Sequence, residues 1–151
     1  MKNYAVVPAV TDVRRSFAIT LGLQEGYGPT GTTHTAADVV AAAAEWMVAR
    51  AAIGLSFLTG TVSGEGTVVY AYPDGPGKAG SGTEPSAVFG GEVSVLYCAN
   101  LDDKEVVYLL NELAVHLGDA LGQTRVYVAY RDTTWVLQAE ETATPTGETV
   151  S

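Results

Sequence analysis

The chain has 151 residues, with 17 acidic and 8 basic side chains and a net charge of −9 at pH 7. Its hydrophobic fraction of 47% and charged fraction of 17% are typical of a globular domain with its own core. Nucleic-acid binding usually depends on clustered Lys and Arg, so this charge argues against a DNA or RNA partner, and it also opposes anionic lipid. We expect one domain over residues 1–139 and a flexible acidic, Thr-rich tail over 140–151.

Cellular location is inferred from apolar segments and cysteine content. The apolar stretch at the amino terminus is broken by Pro8, which is unlike a signal peptide, and the longest apolar run, residues 39–44, is too short to cross a bilayer. We therefore expect a cytoplasmic protein without a membrane partner. Cys98 is the single cysteine, so an intrachain disulfide is excluded, and its apolar surroundings in the sequence predict a small buried side chain.

The amino-terminal half predicts a strand followed by a helix. Phe17, Ile19 and Leu21 alternate with other residues, and this period of two indicates a strand with one buried face. A Gly- and Thr-rich stretch over residues 26–34 follows. Thr35 with Asp38 then forms a capping-box pattern that predicts a helix over residues 36–53. We expect this helix to bury a stripe made of Val40, Ala43, Ala44, Met47 and Ala51.

The middle of the chain predicts three strands, over residues 55–62, 67–72 and 87–99. Residues 63–66 read as a hairpin connection between the first two. Residues 73–85 are rich in Gly and Pro, so we expect them to form a mobile surface loop.

The carboxyl-terminal part predicts a second helix and two strands. Asp102 with Glu105 repeats the capping-box pattern. The helix that follows has an apolar stripe of Val106, Leu110, Leu113, Leu117 and Leu121. Strands are predicted over residues 124–130 and 133–139, joined by a tight turn.

The predicted order of elements is strand, helix, three strands, helix and two strands. Two helices in such a chain are expected to cover one face of a mainly antiparallel sheet, which defines an α+β fold. The order resembles the ferredoxin-like plait with an extra C-terminal hairpin strand. It is also similar to small bacterial domains of unknown function, in which a Gly-bearing first strand precedes a Trp-containing helix, as Leu21-Gly22-Leu23 and Glu45-Trp46 do here. The resemblance implies a ferredoxin-like sandwich and carries no assigned activity.

The Gly/Thr loop before the first helix is the leading candidate for a ligand site. A helix amino terminus offers unpaired N–H groups, and the loop adds Tyr27, Thr32, Thr33 and His34. Asp38 already occupies the positive end of the helix, which favours a small neutral polar ligand over an anion. The loop has neither a dinucleotide fingerprint nor a Walker lysine. The alternative is a connection with no ligand.

A second hypothesis is a cofactor-free enzyme in a cleft between helices and sheet. His34 is the candidate acid or base, paired with Glu25 or Glu45, on a small carbonyl or hydroxylated substrate. Glu45 adjoins Trp46, and an apolar ring can raise the pKa of a carboxyl group. We expect no metal and no cofactor, because the two histidines, His34 and His116, do not occur at metal-ligand spacing. The sequence identifies no catalytic residue.

The preferred hypothesis is a non-catalytic, homo-oligomeric binding or protein-interaction module. Tyrosine and tryptophan are enriched at interfaces, and Tyr127, Tyr130 and Trp135 on the last two strands are the candidate interface residues. A third hypothesis is an inhibitor or adaptor that presents its acidic surface to a basic protein, of the kind that some small viral proteins provide.

Overall fold

The computed structural model describes residues 1–7, 12–26 and 31–140. In chain order its elements are β1 Ser16–Gly22, α1 Ala36–Ala52, β2 Thr61–Pro73, β3 Ala79–Glu92, α2 Asp103–Ala120, β4 Arg125–Tyr130 and β5 Thr133–Gln138. Over these ranges the strands form one antiparallel sheet in the order β2-β3-β1-β4-β5. The predicted α+β class, with an antiparallel sheet and an added C-terminal hairpin strand, is confirmed. Apart from Glu140, the predicted tail lies outside the described residues.

Both helices pack on the same face of the sheet. Phe17, Ile19 and Leu21 of β1 are buried on this helix face, and Val126 and Val128 of β4 join them. The alternate residues of each strand point to the opposite side, which we call the open face. On the open face Gly22 lies beside Ser86 of β3, and Thr20 lies beside Tyr127 of β4.

Helix α1 begins where the capping pattern predicts. Thr35 is the N-cap in an extended conformation, and its N–H donates to the Asp38 carboxylate at 2.9 Å. The predicted stripe is wrong by one position, because Val40 is 52% exposed. The buried side chains are Val39, Ala42, Ala43 and Trp46. Trp46 is the bulkiest side chain of the helix, and its burial sets the rotation of the helix about its axis.

Helix α2 follows the prediction closely. The Asp102 carboxylate accepts from the Glu105 N–H at 2.8 Å, and the Glu105 carboxylate accepts from the Asp102 N–H at 3.1 Å. All five residues of the predicted stripe are buried. No helix in the described ranges is long and apolar enough to cross a membrane.

The middle of the chain differs from the prediction. Residues 55–60 form no strand, and β2 instead runs through the predicted hairpin connection. The segment predicted to be a mobile loop supplies the turn and the first part of β3. Its glycines make room for aromatic rings across the hairpin: a Cβ at Gly80 would lie 2.6 Å from the Tyr72 ring, and one at Gly82 would lie 2.7 Å from the Tyr70 ring. Glycine here is therefore part of the strand pairing.

The predicted long strand over residues 87–99 is also shorter than expected. Strand β3 ends at Glu92, and residues 93–102 turn back towards α2, with the Cys98 N–H donating to the Ser94 carbonyl at 2.8 Å. Cys98 is buried, as its apolar surroundings in the sequence predict. The turns allow this side chain to reach the core without a strand.

Replacing Leu113 tests the packing of α2 on the sheet. Leu113 is completely buried, so Leu113→Ala should lower the free energy of unfolding by about 2–5 kcal/mol through lost apolar burial and the resulting cavity. Urea denaturation measures the change. The matched control is Val115→Ala on the exposed side of the same helix, which should stay within about 0.5 kcal/mol of the parent. A loss below about 1 kcal/mol for Leu113→Ala would contradict the observed packing.

Candidate functional site

A small polar pocket lies where β1 ends, β4 begins and α2 stops. Its volume is about 130 Å³. We call it the Gly22 pocket. It is lined by Gly22, Gln24, Gly26, Glu84, Gly122, Gln123, Thr124, Arg125 and Tyr127.

The pocket exists because the last residue of β1 has no side chain. A Cβ at Gly22 would lie 2.8 Å from Oε1 of Gln123 and 3.3 Å from a carboxylate oxygen of Glu84. An amide oxygen and a carboxylate oxygen therefore converge on the space above Gly22. Both are acceptors, so a group that fills this space must donate hydrogen bonds.

The orientation of the Gln123 amide is set by two backbone carbonyls. Its Nε2 donates to the carbonyls of Gln24 and Leu121, each at 3.1 Å. Carbonyl oxygens only accept, so the NH₂ group must face them and Oε1 must face Gly22. The turn that carries Gln123 is fixed by Gly122 at φ 63° and by a bond from the Gln123 N–H to the Gly118 carbonyl at 2.8 Å.

Two charged side chains of the pocket have polar atoms without a partner among the described residues. Glu84 is partly buried and makes no hydrogen bond or ion pair with another described residue. Nε of Arg125 donates to Gln138 at 3.1 Å, while its two terminal nitrogens contact no acceptor in the described ranges. Tyr127, which is 50% exposed on the open face, adds an aromatic ring next to them.

His34 and Glu25 lie beside the pocket and contact each other. Nε2 of His34 is 2.6 Å from the Glu25 carboxylate, and its Nδ1 is 3.4 Å from the Asp38 carboxylate. The N–H of Thr35 lowers the pKa of the Asp38 carboxyl below its usual value, and His34 lowers it further. The Glu25 carboxylate also packs on the turn at Gly122, where a Cβ would lie 2.6 Å from its Cδ atom.

Glu45, the other predicted partner of His34, lies elsewhere. Its carboxylate is 3.1 Å from Nε2 of His116 on α2, without hydrogen-bond geometry. The structure therefore brings His34 together with Glu25 and leaves Glu45 in the groove between the two helices.

The predicted ligand loop folds back on the end of β1. The Glu25 N–H donates to the Thr32 carbonyl at 2.8 Å, and the His34 N–H donates to the Leu23 carbonyl at 2.6 Å. Thr32 and Thr33 are exposed and do not line the Gly22 pocket. Tyr27 lies outside the described residues. A ligand at this loop stays a prediction.

The predicted interface residues do not share a face. Tyr130 is buried and donates its hydroxyl hydrogen to Asp103, and Nε1 of Trp135 donates to Asn111 at 2.7 Å. Both pack on the helix face, whereas Tyr127 lies on the open face. A charged residue at position 135 would therefore disturb the fold, because it would remove a side chain that packs against α2.

Two wide-open hollows elsewhere on the described surface are larger, and each of them contains a charged pair. One, of about 600 Å³, lies beside Trp135, where Asp103 forms an ion pair with Arg131 at 3.1 Å. The other, of about 550 Å³, holds the Glu45–His116 pair. No group of three acidic, His or Cys residues in the described ranges is placed to hold a metal ion. In the Gly22 pocket the Glu84 carboxylate and the terminal nitrogens of Arg125 have no partner among the described residues.

Sequence reasoning missed Glu84, Gln123 and Arg125. Glu84 falls in the segment predicted to be a mobile loop, and Gln123 follows the glycine that ends α2. Arg125 and Tyr127 lie on one face of β4, but no local pattern in the sequence pointed to their neighbours on other strands.

The fold is similar to that of a phage SAM lyase. The structure of that enzyme in complex with S-methyl-5'-thioadenosine has a TM-score of 0.62 at 17% identity, covering 92% of this chain and 100% of the other. Its apo structure has a TM-score of 0.58 at 18% identity, covering 93% and 100%. No protein-family model and no curated protein matches the sequence. At this identity the likeness shows a shared fold. The ferredoxin-like resemblance is not confirmed by these comparisons.

The comparison corrects the preferred functional hypothesis. A non-catalytic binding module was predicted because the sequence contains no local catalytic motif. Both matched structures are of an enzyme whose whole chain is covered, and this finding counts against the non-catalytic module. Neither the His34 enzyme nor the acidic inhibitor or adaptor is confirmed.

Two glycines that end helices provide a test of the Glu25 packing. Gly54 and Gly122 both have positive φ, but a Cβ at Gly54 meets no described atom within 4 Å. Gly54→Ala should cost about 1–2 kcal/mol from backbone strain alone. Gly122→Ala should cost more and should also displace Glu25 from His34, seen as a changed ring signal of His34 by NMR. Equal costs with an unchanged His34 signal would show that Glu25 does not rest on this turn.

Proposed function

We propose that this chain is a lyase that cleaves S-adenosylmethionine at a sulfonium carbon–sulfur bond and releases S-methyl-5'-thioadenosine. The observation that carries the proposal is the Gly22 pocket, where the unpaired Glu84 carboxylate and the Gln123 oxygen face the same space beside Arg125 and Tyr127. The likeness to the phage SAM lyase over nearly the whole chain supports it.

The electrostatics of the pocket suit a sulfonium substrate. The sulfonium is a permanent cation, and a carboxylate, an amide oxygen and the face of a tyrosine ring all attract positive charge. Because Glu84 makes no ion pair with another described residue, its charge is available to the substrate. The net charge of −9 adds a long-range attraction for a cationic ligand.

The reaction requires the protein mainly to position the substrate. The carboxylate of the methionyl part attacks its own γ-carbon, a carbon–oxygen bond forms, the γ-carbon–sulfur bond breaks, and its electron pair goes to sulfur. The products are homoserine lactone and the neutral thioether S-methyl-5'-thioadenosine, and neither water nor a proton is consumed. Holding the carboxylate in line with the breaking bond is the kind of positioning that accelerates an internal reaction strongly.

The pocket of a single chain is too small for the whole substrate. Ligand pockets usually measure roughly 300–1,000 Å³, compared with about 130 Å³ here. We infer that a second copy of the chain covers the open face and completes the site. Large apolar side chains are exposed on that face, namely Val68, Tyr70, Tyr72, Tyr127 and Val136.

The β2–β3 hairpin supports the same inference. Strand β1 pairs with β3 only from Ser86 to Glu92, so residues 67–73 and 79–85 form a two-stranded ribbon beyond the sheet. A two-stranded ribbon is marginally stable by itself in water. Packing against a second copy would bury its tyrosines and stabilise it.

Activity is tested by incubating the protein with S-adenosylmethionine and measuring S-methyl-5'-thioadenosine by chromatography. The wild-type chain should form this product, and Glu84→Gln should lower kcat/KM by about 100-fold, because it removes the negative charge that attracts the cationic substrate. Glu112→Gln, which makes the same change on the exposed side of α2, is the control and should leave the rate unchanged. Absence of product from the wild type, or equal rates for the two variants, would contradict the proposal.

The second product identifies the route. Internal attack should give homoserine lactone, and the lactone should contain no oxygen-18 when the reaction runs in labelled water. Formation of 2-aminobut-3-enoate instead would mean that a base removes a proton from the β-carbon, which is an elimination.

Association is tested by sedimentation of a variant outside the pocket. Wild-type protein should be a dimer or larger at micromolar concentration. Val136→Lys should dissociate it and lower activity, because it places a charge among the apolar side chains of the open face, beside Tyr127. Val48→Lys, at an exposed position of α1, is the control and should leave both unchanged. A monomeric wild type at about ten times that concentration would contradict the inferred assembly.

A further inference from the structure

We propose that the Gly22 pocket binds the α-amino acid head group of the substrate, with Glu84 and Gln123 holding the ammonium and Arg125 holding the carboxylate. This inference rests on the proposed function and adds which part of the substrate the pocket recognises. It assigns the pocket to one part of the substrate and leaves the nucleoside to the aromatic open face.

The acceptor side of the pocket fits an ammonium group. The oxygens of Glu84 and Gln123 lie within 3.3 Å of the position that a Cβ of Gly22 would take. Gln123 cannot turn its NH₂ group into the space above Gly22 without breaking both bonds to the carbonyls of Gln24 and Leu121. An ammonium group has three donors and no acceptor, so it satisfies both oxygens at once.

The cationic side of the pocket fits a carboxylate. Nε of Arg125 is held by Gln138, which fixes the plane of the guanidinium and leaves its terminal nitrogens for a ligand. The edge formed by the two terminal nitrogens can donate two parallel hydrogen bonds to a carboxylate. If Arg125 holds one carboxylate oxygen, the other oxygen remains to attack the γ-carbon.

The spacing between the two sides also fits. Glu84 lies on β3 and Arg125 on β4, with β1 between them, so their strands are about 10 Å apart. Glu84 and Arg125 do not form an ion pair with each other in the described part of the chain. A zwitterionic head group placed above Gly22 would therefore have Glu84 on one side and Arg125 on the other. Any larger residue in place of Gly22 would fill this space.

Binding measurements with stable ligands test this assignment. S-Adenosylhomocysteine carries the head group, and S-methyl-5'-thioadenosine lacks it. Arg125→Gln should weaken binding of the first ligand by about tenfold or more, as expected for loss of a charge-assisted bond, and change binding of the second less than twofold. Gly22→Val should act in the same direction. Arg14→Gln, an exposed arginine at the opposite end of β1, is the control and should change neither.

The outcomes separate this inference from the proposed function. Selective loss of S-adenosylhomocysteine binding in Arg125→Gln supports the head-group assignment. If the wild type cleaves S-adenosylmethionine but Arg125→Gln weakens both ligands equally or neither, the assignment is wrong and the lyase function stands. If the wild type binds neither ligand and forms no product, both proposals are overturned.

Discussion

The register of β1 is the constraint on which the rest of the structure depends. This strand lies in the middle of the sheet and pairs with β3 on one side and β4 on the other. Ile19 is completely buried under the helices, and a shift of one residue would turn it to the open face. The same register places Gly22 beside Ser86 and next to Arg125. The burial of one apolar side chain therefore decides which polar side chains meet at the end of the strand.

The energetics of that strand end differ from those of the other charged clusters. At the opposite end of β1, the hydroxyl of Tyr130 donates to Asp103 and lowers the pKa of its carboxyl group, and the neighbouring Arg131 and Arg15 lower it further. The opposite charges in such a cluster stabilise one another. The Glu84 carboxylate and the Gln123 oxygen instead both point to the space above Gly22, so a group that enters this space must donate hydrogen bonds.

Local signals were enough to predict the helices, and long-range pairing explains the failures. Capping boxes at Thr35 and Asp102 act over four residues, so the sequence alone located both helix starts. Gly80 and Gly82 suggested a loop because the local sequence does not reveal that they face the rings of Tyr72 and Tyr70 across a hairpin. Glu84 and Gln123 are brought together only by the sheet. The choice between Glu25 and Glu45 as the partner of His34 likewise depended on how the loop closes. A missing local motif therefore says little about which distant side chains meet in the folded chain.

The contact between tyrosine rings and glycines in the hairpin limits how the sequence can vary. With Tyr72 in place, a side chain at Gly80 would collide with the ring, and the same holds for Tyr70 and Gly82. Once a tyrosine has been replaced by a small residue, the facing position becomes free to accept a side chain. The effect of a substitution at 80 or 82 thus depends on the order in which changes are made. Each pair is a unit of epistasis, and related sequences are expected to replace the glycine only where the tyrosine has also been replaced.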